Sequence, residues 1–172
     1  MKRGFTLVEL LVVIAIISIL TIITASQFQT AKRRANDVAR KGDLSALSKA
    51  LEMYYADYGR FPASDNGAIK VMDNGSSKVD SWGGEFSDNS SPPYVYMKVM
   101  PMEKTLAATF PYCYVADNNG TKFGLFAMME YTADPQCDMT PADTLSYTHC
   151  GGRRYCFAYV SPNITVSDLS GW

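Results

Sequence analysis

Residues 4–27 read GFTLVELLVVIAIISILTIITASQ, a long apolar run that carries one carboxylate, Glu9, near its start. Between Leu10 and Ile23 only Ser18 and Thr21 are polar. Together with residues 5–8, the run approaches the roughly 20 apolar residues that a helix needs to cross a bilayer. An ionised carboxylate in hydrocarbon costs about 2.5–3.5 kcal/mol, so Glu9 requires a compensating partner.

Two ordinary targeting segments could explain this start of the chain. Lys2 and Arg3 fit the basic region of a secretory signal, but such a signal ends in a small-residue cleavage site. Only Thr24-Ala25-Ser26 is available for that cut, and it is a poor match. A plain signal anchor, which would make the chain a membrane-anchored extracytoplasmic binding domain, gives Glu9 no role.

The residues Gly4-Phe5-Thr6-Leu7-Val8-Glu9 resemble the processing site of type IV pilins and the related pseudopilins. The resemblance implies that residues 1–4 are a leader, removed by a prepilin peptidase between Gly4 and Phe5. Phe5 would then be N-methylated. Glu9 would be the assembly and registration charge, paired with the N-terminal amine of a neighbouring subunit. Such pairing makes a buried charge tolerable.

A single long helix is predicted to follow the leader. Gly42 is the only glycine between Phe5 and Tyr58, no proline occurs there, and Gly59-Arg60-Phe61-Pro62 supplies a stop. We predict a membrane-spanning or filament-core half at residues 5–27 and an amphipathic distal half at residues 28–60. At about 1.5 Å per residue, the rod would extend ~80 Å.

Two stripes run along this predicted helix. Large apolar residues recur at spacings of three and four in the distal half, which indicates one face packed against the head. These residues are Leu44, Leu47, Leu51, Tyr54 and Tyr58. Small residues, which allow close helix–helix approach, form the second stripe: Ala15, Ser18, Thr21, Ala25, Ala35, Ala39 and Gly42. We predict that this second stripe packs against other helices in a filament core.

A cluster of cations follows the apolar run, at Lys32, Arg33, Arg34, Arg40 and Lys41, with Asp37 among them. Positive charge normally remains on the cytoplasmic side of a membrane, which would place the head inside the cell. The processing motif and the cysteines of the head indicate the opposite orientation. We interpret these charged residues as a solvated helix surface close to lipid headgroups.

The head is predicted to occupy residues 61–172, as a variable connecting loop (61–93), a β-sheet (94–160) and a C-terminal tail (161–172). Residues 51–62 resemble the end of the helix in pilins related to the major pseudopilin. Apolar runs predict strands at 94–99, 112–116, 122–131 and 155–160, with a further short strand at 69–72 and a short helix at 102–109. Asp117-Asn118-Asn119-Gly120 is a hairpin signal. The class is therefore α+β, a small antiparallel sheet on a long helix, as in the pilin fold.

Four cysteines lie in the head, at Cys113, Cys137, Cys150 and Cys156. An even number in an exported domain predicts two disulfides, and the sequence leaves three pairings open. We favour Cys137–Cys150 with Cys113–Cys156, because the second bridge would connect the beginning of the sheet to its end. The alternative is a zinc site in which His149 joins Cys137, Cys150 and Cys156, although no C-x-x-C spacing supports it.

Catalytic and cofactor motifs are missing from the sequence. His149 is the only histidine, and there is no nucleophile motif, glycine-rich phosphate loop or H-E-x-x-H. The sequence therefore predicts neither an enzyme nor a cofactor protein. Some relatives bind calcium in a C-terminal loop, which Asp134, Asp138 and Asp143 could do here. The net charge of −1 argues against nucleic-acid binding.

The resemblance implies a structural subunit of a type IV pilus. The subunit would first be a single-pass precursor in the bacterial cytoplasmic membrane. An assembly platform in that membrane, driven by a cytoplasmic ATPase, would then add it to a cell-surface filament of identical subunits. The alternative within the same family is a pseudopilin of a type II secretion system.

Overall fold

The computed structural model describes residues 6–73, 75–106, 108–137, 145–147 and 150–165. Its dominant element is helix α1, Leu7–Tyr58, with 52 residues. Thr6 caps the N-terminus, and Gly59 ends the helix in the left-handed conformation, at φ 66°. The N–H of Gly59 donates to the carbonyl of Tyr55 at 2.8 Å, which closes the last turn in the usual glycine-terminated way. The helix is ~78 Å long.

Short antiparallel strands form the head. In chain order they are β1 (Ala63–Asp65), β2 (Ala68–Asp73), β3 (Ser76–Asp80), β4 (Phe86–Ser87), β5 (Val95–Met97), β6 (Cys113–Ala116), β7 (Phe123–Ala127), β8 (Leu145–Tyr147), β9 (Arg153–Tyr155) and β10 (Phe157–Val160). They pair as the sheets β1-β2-β3, β10-β7-β6, β4-β5 and β8-β9. The predicted α+β class, a long helix against small antiparallel sheets, is confirmed.

The core lies between the distal half of α1 and the strands. Leu44, Leu47 and Leu51 are fully buried against side chains that include Tyr114 and Leu125 of the central sheet. Each buried leucine contributes about 1.5–3 kcal/mol. Gly120, at φ 65°, ends the β6–β7 hairpin, where an added Cβ would lie 2.8 Å from the carbonyl oxygen of Phe61. The turn therefore packs against the backbone of Phe61, just after the end of α1.

The short strand predicted at 69–72 is confirmed, since it lies within β2, but the rest of the predicted connecting loop, residues 61–93, is not all loop. It contains β1, β2, β3 and β4, of which β2 and β3 pair from Ile69 with Asp80 to Asp73 with Ser76. Among the described side chains of β2, only Ile69 and Val71 are buried, which is too short an alternation to stand out among the Ser and Asp residues of β1 and β3. Asn74-Gly75, a strong hairpin dipeptide, was the signal that sequence analysis missed.

The short helix predicted at residues 102–109 is also wrong, since the described residues of this segment contain no helix. The Glu103 carboxylate accepts the backbone N–H groups of Thr105 and Leu106, at 2.9 and 3.1 Å. These donors are thereby held by a buried side chain and not by a helical carbonyl. The segment folds as turns around Glu103.

Both disulfides form, but with a pairing different from the favoured one: Cys113 bonds Cys150, and Cys137 bonds Cys156. Cys113 pairs across the sheet with Phe126, and Phe126 pairs in turn with Ala158 of β10. A bridge from Cys113 towards β10 would have to cross two strand spacings, about 9.5 Å. That exceeds the ~4.4–6.8 Å between Cα atoms that a disulfide allows. The zinc alternative is wrong for a different reason, because all four thiols are in disulfides.

Removing the Cys113–Cys150 bridge, by Cys113→Ala with Cys150→Ala, is expected to lower the free energy of unfolding by about 2–4 kcal/mol, because the unfolded chain gains entropy. Denaturant unfolding of the oxidised protein measures this loss. When both proteins are measured in reductant, which opens the disulfides, the variant should be less stable than the wild-type chain only by the small amount due to lost packing. Peptide mapping that recovers a Cys113–Cys156 fragment would contradict the assigned pairing.

Candidate assembly site: the helix and its junction with the head

The start of α1 carries a capping box formed by Thr6 and Glu9. The Glu9 carboxylate accepts the backbone N–H and the hydroxyl of Thr6, both at 2.8 Å, and the Thr6 hydroxyl accepts the N–H of Glu9 at 3.3 Å. Sequence analysis missed the role of Thr6, although Thr-x-x-Glu before an apolar run is the usual signature. Glu9 is exposed, and its carboxylate already has hydrogen-bond donors from Thr6 before any assembly. Gly4 and Phe5, the predicted cleavage site, lie outside the described residues.

The first turns of α1 expose a continuous aliphatic surface. From Leu7 to Leu20, every leucine, isoleucine and valine is between 45% and 79% exposed. Soluble monomers rarely present a contiguous apolar surface of this size, so this segment requires cover from outside the subunit. In the part of the chain that the structure describes, no helix is long and apolar enough to cross a membrane.

The predicted small-residue stripe is exposed wherever the structure describes its side chains. Ala15, Ser18, Thr21, Ala35, Ala39 and Gly42 are exposed, and the side chain of Ala25 lies outside the described residues. The hydroxyl of Ser18 donates to the carbonyl of Ile14 at 2.7 Å. An added Cβ at Gly42 would meet nothing within 4 Å. The subunit itself therefore does not require this glycine, which costs roughly 1 kcal/mol in a helix relative to alanine.

The predicted helix–head stripe lies in the core. Leu44, Leu47, Leu51 and Tyr54 are buried, and Tyr58 packs partly buried against the same cluster. The rings of Tyr54 and Tyr58 stack with their centroids 4.5 Å apart. The hydroxyl of Tyr58 donates to Asp88 at 2.9 Å. This stripe fixes the distal helix onto the sheets.

A buried ion network, centred on Arg40, joins the helix to the head above that stripe. The Arg40 guanidinium contacts Asp37, Glu103 and Glu130, each at 2.6 Å, and also donates to the hydroxyl of Thr105. The side chains of Arg40, Asp37 and Glu103 are each 3% exposed. Asp37 in turn accepts the backbone N–H of Glu130 at 2.9 Å and that of Tyr131 at 2.8 Å. We call these four ionic residues the Arg40 network.

The interpretation of Asp37, Arg40 and Lys41 as solvated surface is wrong. Asp37 and Arg40 are buried, and Lys41 is three-quarters buried and pairs with Asp134 at 2.7 Å. The signal was available, because positions 37 and 40 continue the spacing of three and four that leads to Leu44 and Leu47. Their charge obscured the fact that they occupy the buried face.

Ionisation of the Arg40 network follows from its contacts. Burial alone would lower the pKa of Arg40, but hydrogen bonds with Glu103 and Glu130 outweigh it and raise that pKa. Burial opposes ionisation of Glu103, yet hydrogen bonds from Arg40 and from two backbone N–H groups lower its pKa to about 2. The pKa of Glu130 is lowered in the same way, mainly by Arg40. At neutral pH Arg40, Glu103 and Glu130 are therefore charged.

Acidification is expected to destabilise the head through Glu103. Because its pKa is depressed from 4.5 to about 2, its contribution is complete above about pH 4.5 and is lost as the pH falls towards 2. Unfolding free energies measured across this range should therefore decline with falling pH. Glu103→Gln should be less stable at pH 7 but show a flatter decline, and equal slopes for both proteins would contradict this assignment.

The described residues form neither a calcium site nor a zinc site. Asp134 accepts from Lys41 and from the N–H of Gln136, while Asp138, Asp143 and His149 lie outside the described residues. Both carboxylate oxygens of Asp117 accept hydrogen bonds from Thr121, which makes Asp117 a turn cap. Among the described residues, no group of three or more potential metal ligands comes together.

Comparison with known proteins agrees with this arrangement of helix and head. Residues 1–25 match the model of the prokaryotic N-terminal methylation motif, and residues 27–108 match that of type II secretion system protein G. The core protein G of the type II secretion system of Klebsiella michiganensis is 38% identical over 101 residues, which cover 49% of this chain and 71% of that protein. The chain belongs to the type II secretion system protein G family. The expectation of a pilin or pseudopilin is confirmed.

Other relatives of the family extend the comparison. The core protein G of Pseudomonas aeruginosa is 28% identical over 129 residues, which cover 74% of this chain and 82% of that protein. The type IV wide pilus major component of Thermus thermophilus is 38% identical over 69 residues, or 40% of this chain and 53% of that protein. No solved structure matches the chain significantly. These names denote structural subunits and not enzymes, and they favour type II secretion over the pilus role expected first.

Proposed function

We propose that this chain is a pseudopilin of a type II secretion system, the subunit that polymerises into the secretion filament. The observation that carries the proposal is the match of residues 27–108 to the protein G family. This match covers the distal helix, the Arg40 network up to Glu103 and the first strands of the head. The matched region thus includes the junction that holds the head on its helix.

The geometry supports a polymer built through α1. Among the described residues, the aliphatic surface at Leu7–Leu20 and the small residues of the stripe are exposed, whereas Leu44, Leu47 and Leu51 of the distal helix are buried against the head. Small residues permit close helix approach, which would account for Gly42. In a filament, the helices of neighbouring subunits cover one another and the heads form the outer surface.

The subunit would reach the filament in two steps. The methylation motif at residues 1–25 supports removal of residues 1–4 by a prepilin peptidase and N-methylation of Phe5. Until assembly, the apolar start of α1 would rest in the cytoplasmic membrane with the head outside the cytoplasm, where the disulfides are stable. An assembly platform driven by a cytoplasmic ATPase would then move the subunit into the growing filament.

Deletion of the gene in its native organism is expected to leave the normally secreted proteins inside the cell envelope, with at least a tenfold fall in the culture medium. Complementation by the wild-type gene should restore secretion, and immunoblots of both fractions measure it. Gly4→Ala, which places a side chain at the cleavage site, should fail to complement. Normal secretion after deletion would contradict the proposal.

A second function, the major subunit of a type IV pilus, is favoured by the similarity to the Thermus thermophilus pilus component. The same deletion strain separates the two. Loss of long surface fibres from sheared cell fractions with unchanged secretion would assign the chain to a pilus. Loss of secretion with unchanged fibres would assign it to the secretion system.

A further inference from the structure

Three consecutive cations, Lys32, Arg33 and Arg34, surround α1 just beyond its apolar segment. All three are exposed. Successive helical residues are about 100° apart, so the three side chains cover more than half of the circumference. The sequence contains no acidic residue between Glu9 and Asp37. The nearest carboxylate towards the head on this helix, Asp37, is engaged by Arg40 and by two backbone N–H groups. We call the three cations the cationic collar.

The head does not neutralise the collar within the part of the chain that the structure describes. The next cations along the helix are already paired: Arg40 with three carboxylates, and Lys41 with Asp134. Arg34 donates to the hydroxyl of Tyr131 at 2.7 Å, and its guanidinium lies 4.4 Å from the centre of that ring. Both contacts are with an uncharged side chain, so neither supplies Arg34 with a carboxylate partner. They do hold Arg34 against Tyr131, and this fixes the position of the head relative to the collar.

The position of the collar along α1 corresponds to a membrane surface. If residues 6–25 occupy the hydrocarbon, they extend ~30 Å, which equals its usual thickness. Phe28, which is 73% exposed, would then lie at the interface, where aromatic side chains are favoured. Lys32 begins ~10 Å beyond the hydrocarbon edge, and long basic side chains can bend back towards phosphate groups.

We propose that the cationic collar binds the phosphate groups of anionic phospholipids at the outer surface of the cytoplasmic membrane, and so holds the stored subunit at a fixed depth. The inference rests on the proposed function, in which the subunit waits in the membrane before assembly. It explains why positive charge follows the apolar segment against the usual rule. Each basic residue near an anionic surface strengthens binding roughly fivefold. The contact is lost when the subunit moves into the filament.

The test uses the full-length chain reconstituted in phosphatidylcholine bilayers with trace spin-labelled phosphatidylglycerol or phosphatidylcholine. Electron paramagnetic resonance measures the ratio of the two association constants at the protein surface. We expect the wild-type chain to prefer phosphatidylglycerol severalfold at low salt. Lys32→Gln with Arg33→Gln should reduce that preference at least threefold, and so should an increase in salt, because the collar is exposed to solvent.

The matched control is Lys98→Gln with Lys104→Gln, which removes two exposed cations from the head and should leave the lipid preference unchanged. Lys2 and Arg3 are present in every protein compared, so their effect cancels. Equal preference in the wild-type chain and the collar variant would overturn the inference. So would a collar variant that keeps the wild-type preference but forms no filaments, since the collar would then contact a neighbouring subunit.

Failure of the inference can be distinguished from failure of the proposed function. A chain that supports secretion but shows no lipid preference would refute the collar alone. A chain whose preference depends on the collar, but whose deletion leaves secretion unchanged, would support the lipid contact and refute the secretion role.

Discussion

Replacing Arg40 by alanine is expected to lower the free energy of unfolding by about 3–5 kcal/mol. The change leaves Asp37 and Glu103, each 3% exposed, as buried carboxylates without their cation. Two backbone donors still satisfy Asp37, but the mutual repulsion of three acids is no longer compensated. Guanidinium unfolding of the full-length chain in mild detergent, followed by tryptophan fluorescence, measures the loss.

Arg33→Ala is the matched control for this prediction. Arg33 lies on the same helix, is exposed, and its removal should change stability by no more than about 0.5 kcal/mol. In a double-mutant cycle, Arg40→Ala and Glu103→Gln should cost less together than the sum of their separate effects, because removing one acid relieves the charge that alanine leaves unpaired. Equal losses for Arg40→Ala and Arg33→Ala would show that the Arg40 network does not stabilise the head.

The long helix was predictable because its determinants are local. The uninterrupted run without proline and the stop at Gly59 predicted residues 5–60, and the structure has Leu7–Tyr58. The apolar stripe from Leu44 to Tyr58 was likewise a periodic signal that needs no knowledge of its partner. Predicted strands near 94–99, 112–116, 122–131 and 155–160 each contain an observed strand with shorter bounds, because turns and irregular segments take up the flanking residues.

The remaining features depend on contacts between residues distant in the sequence. The partner of each cysteine is set by strand order, and β7 lies between β6 and β10, which no spacing in the sequence reveals. Arg40 meets Glu103 and Glu130, 63 and 90 residues further along the chain. A buried charge and a solvated charge look alike in sequence unless the helical period is followed through them, as Asp37 and Arg40 show.

Glu9→Ala is expected to abolish filaments while leaving a processed subunit with a folded head. The Arg40 network begins at Asp37, ~42 Å along α1 from Glu9, so the head should keep its stability. In the proposed filament each new N-terminal amine would lose its anionic partner. An unpaired buried charge costs about 3–5 kcal/mol, and this cost recurs with every subunit added. Electron microscopy of sheared fractions measures the filaments, and immunoblots of the membrane fraction measure the subunit.

Thr6→Ala separates the helix-capping role that the structure shows for this carboxylate from the assembly role that we propose for it. It removes the hydroxyl that donates to Glu9 and accepts its N–H, a loss of about 0.5–2 kcal/mol of helix capping, but it keeps the charge. Filaments should therefore persist in Thr6→Ala and be absent in both Glu9→Ala and Glu9→Gln, since glutamine is neutral. Blots must show that each variant loses its leader normally. If processed Thr6→Ala loses filaments as completely as Glu9→Ala, then Glu9 acts in assembly as a helix cap. Abundant filaments from Glu9→Ala would mean that the carboxylate is not the charge that positions one subunit on the next.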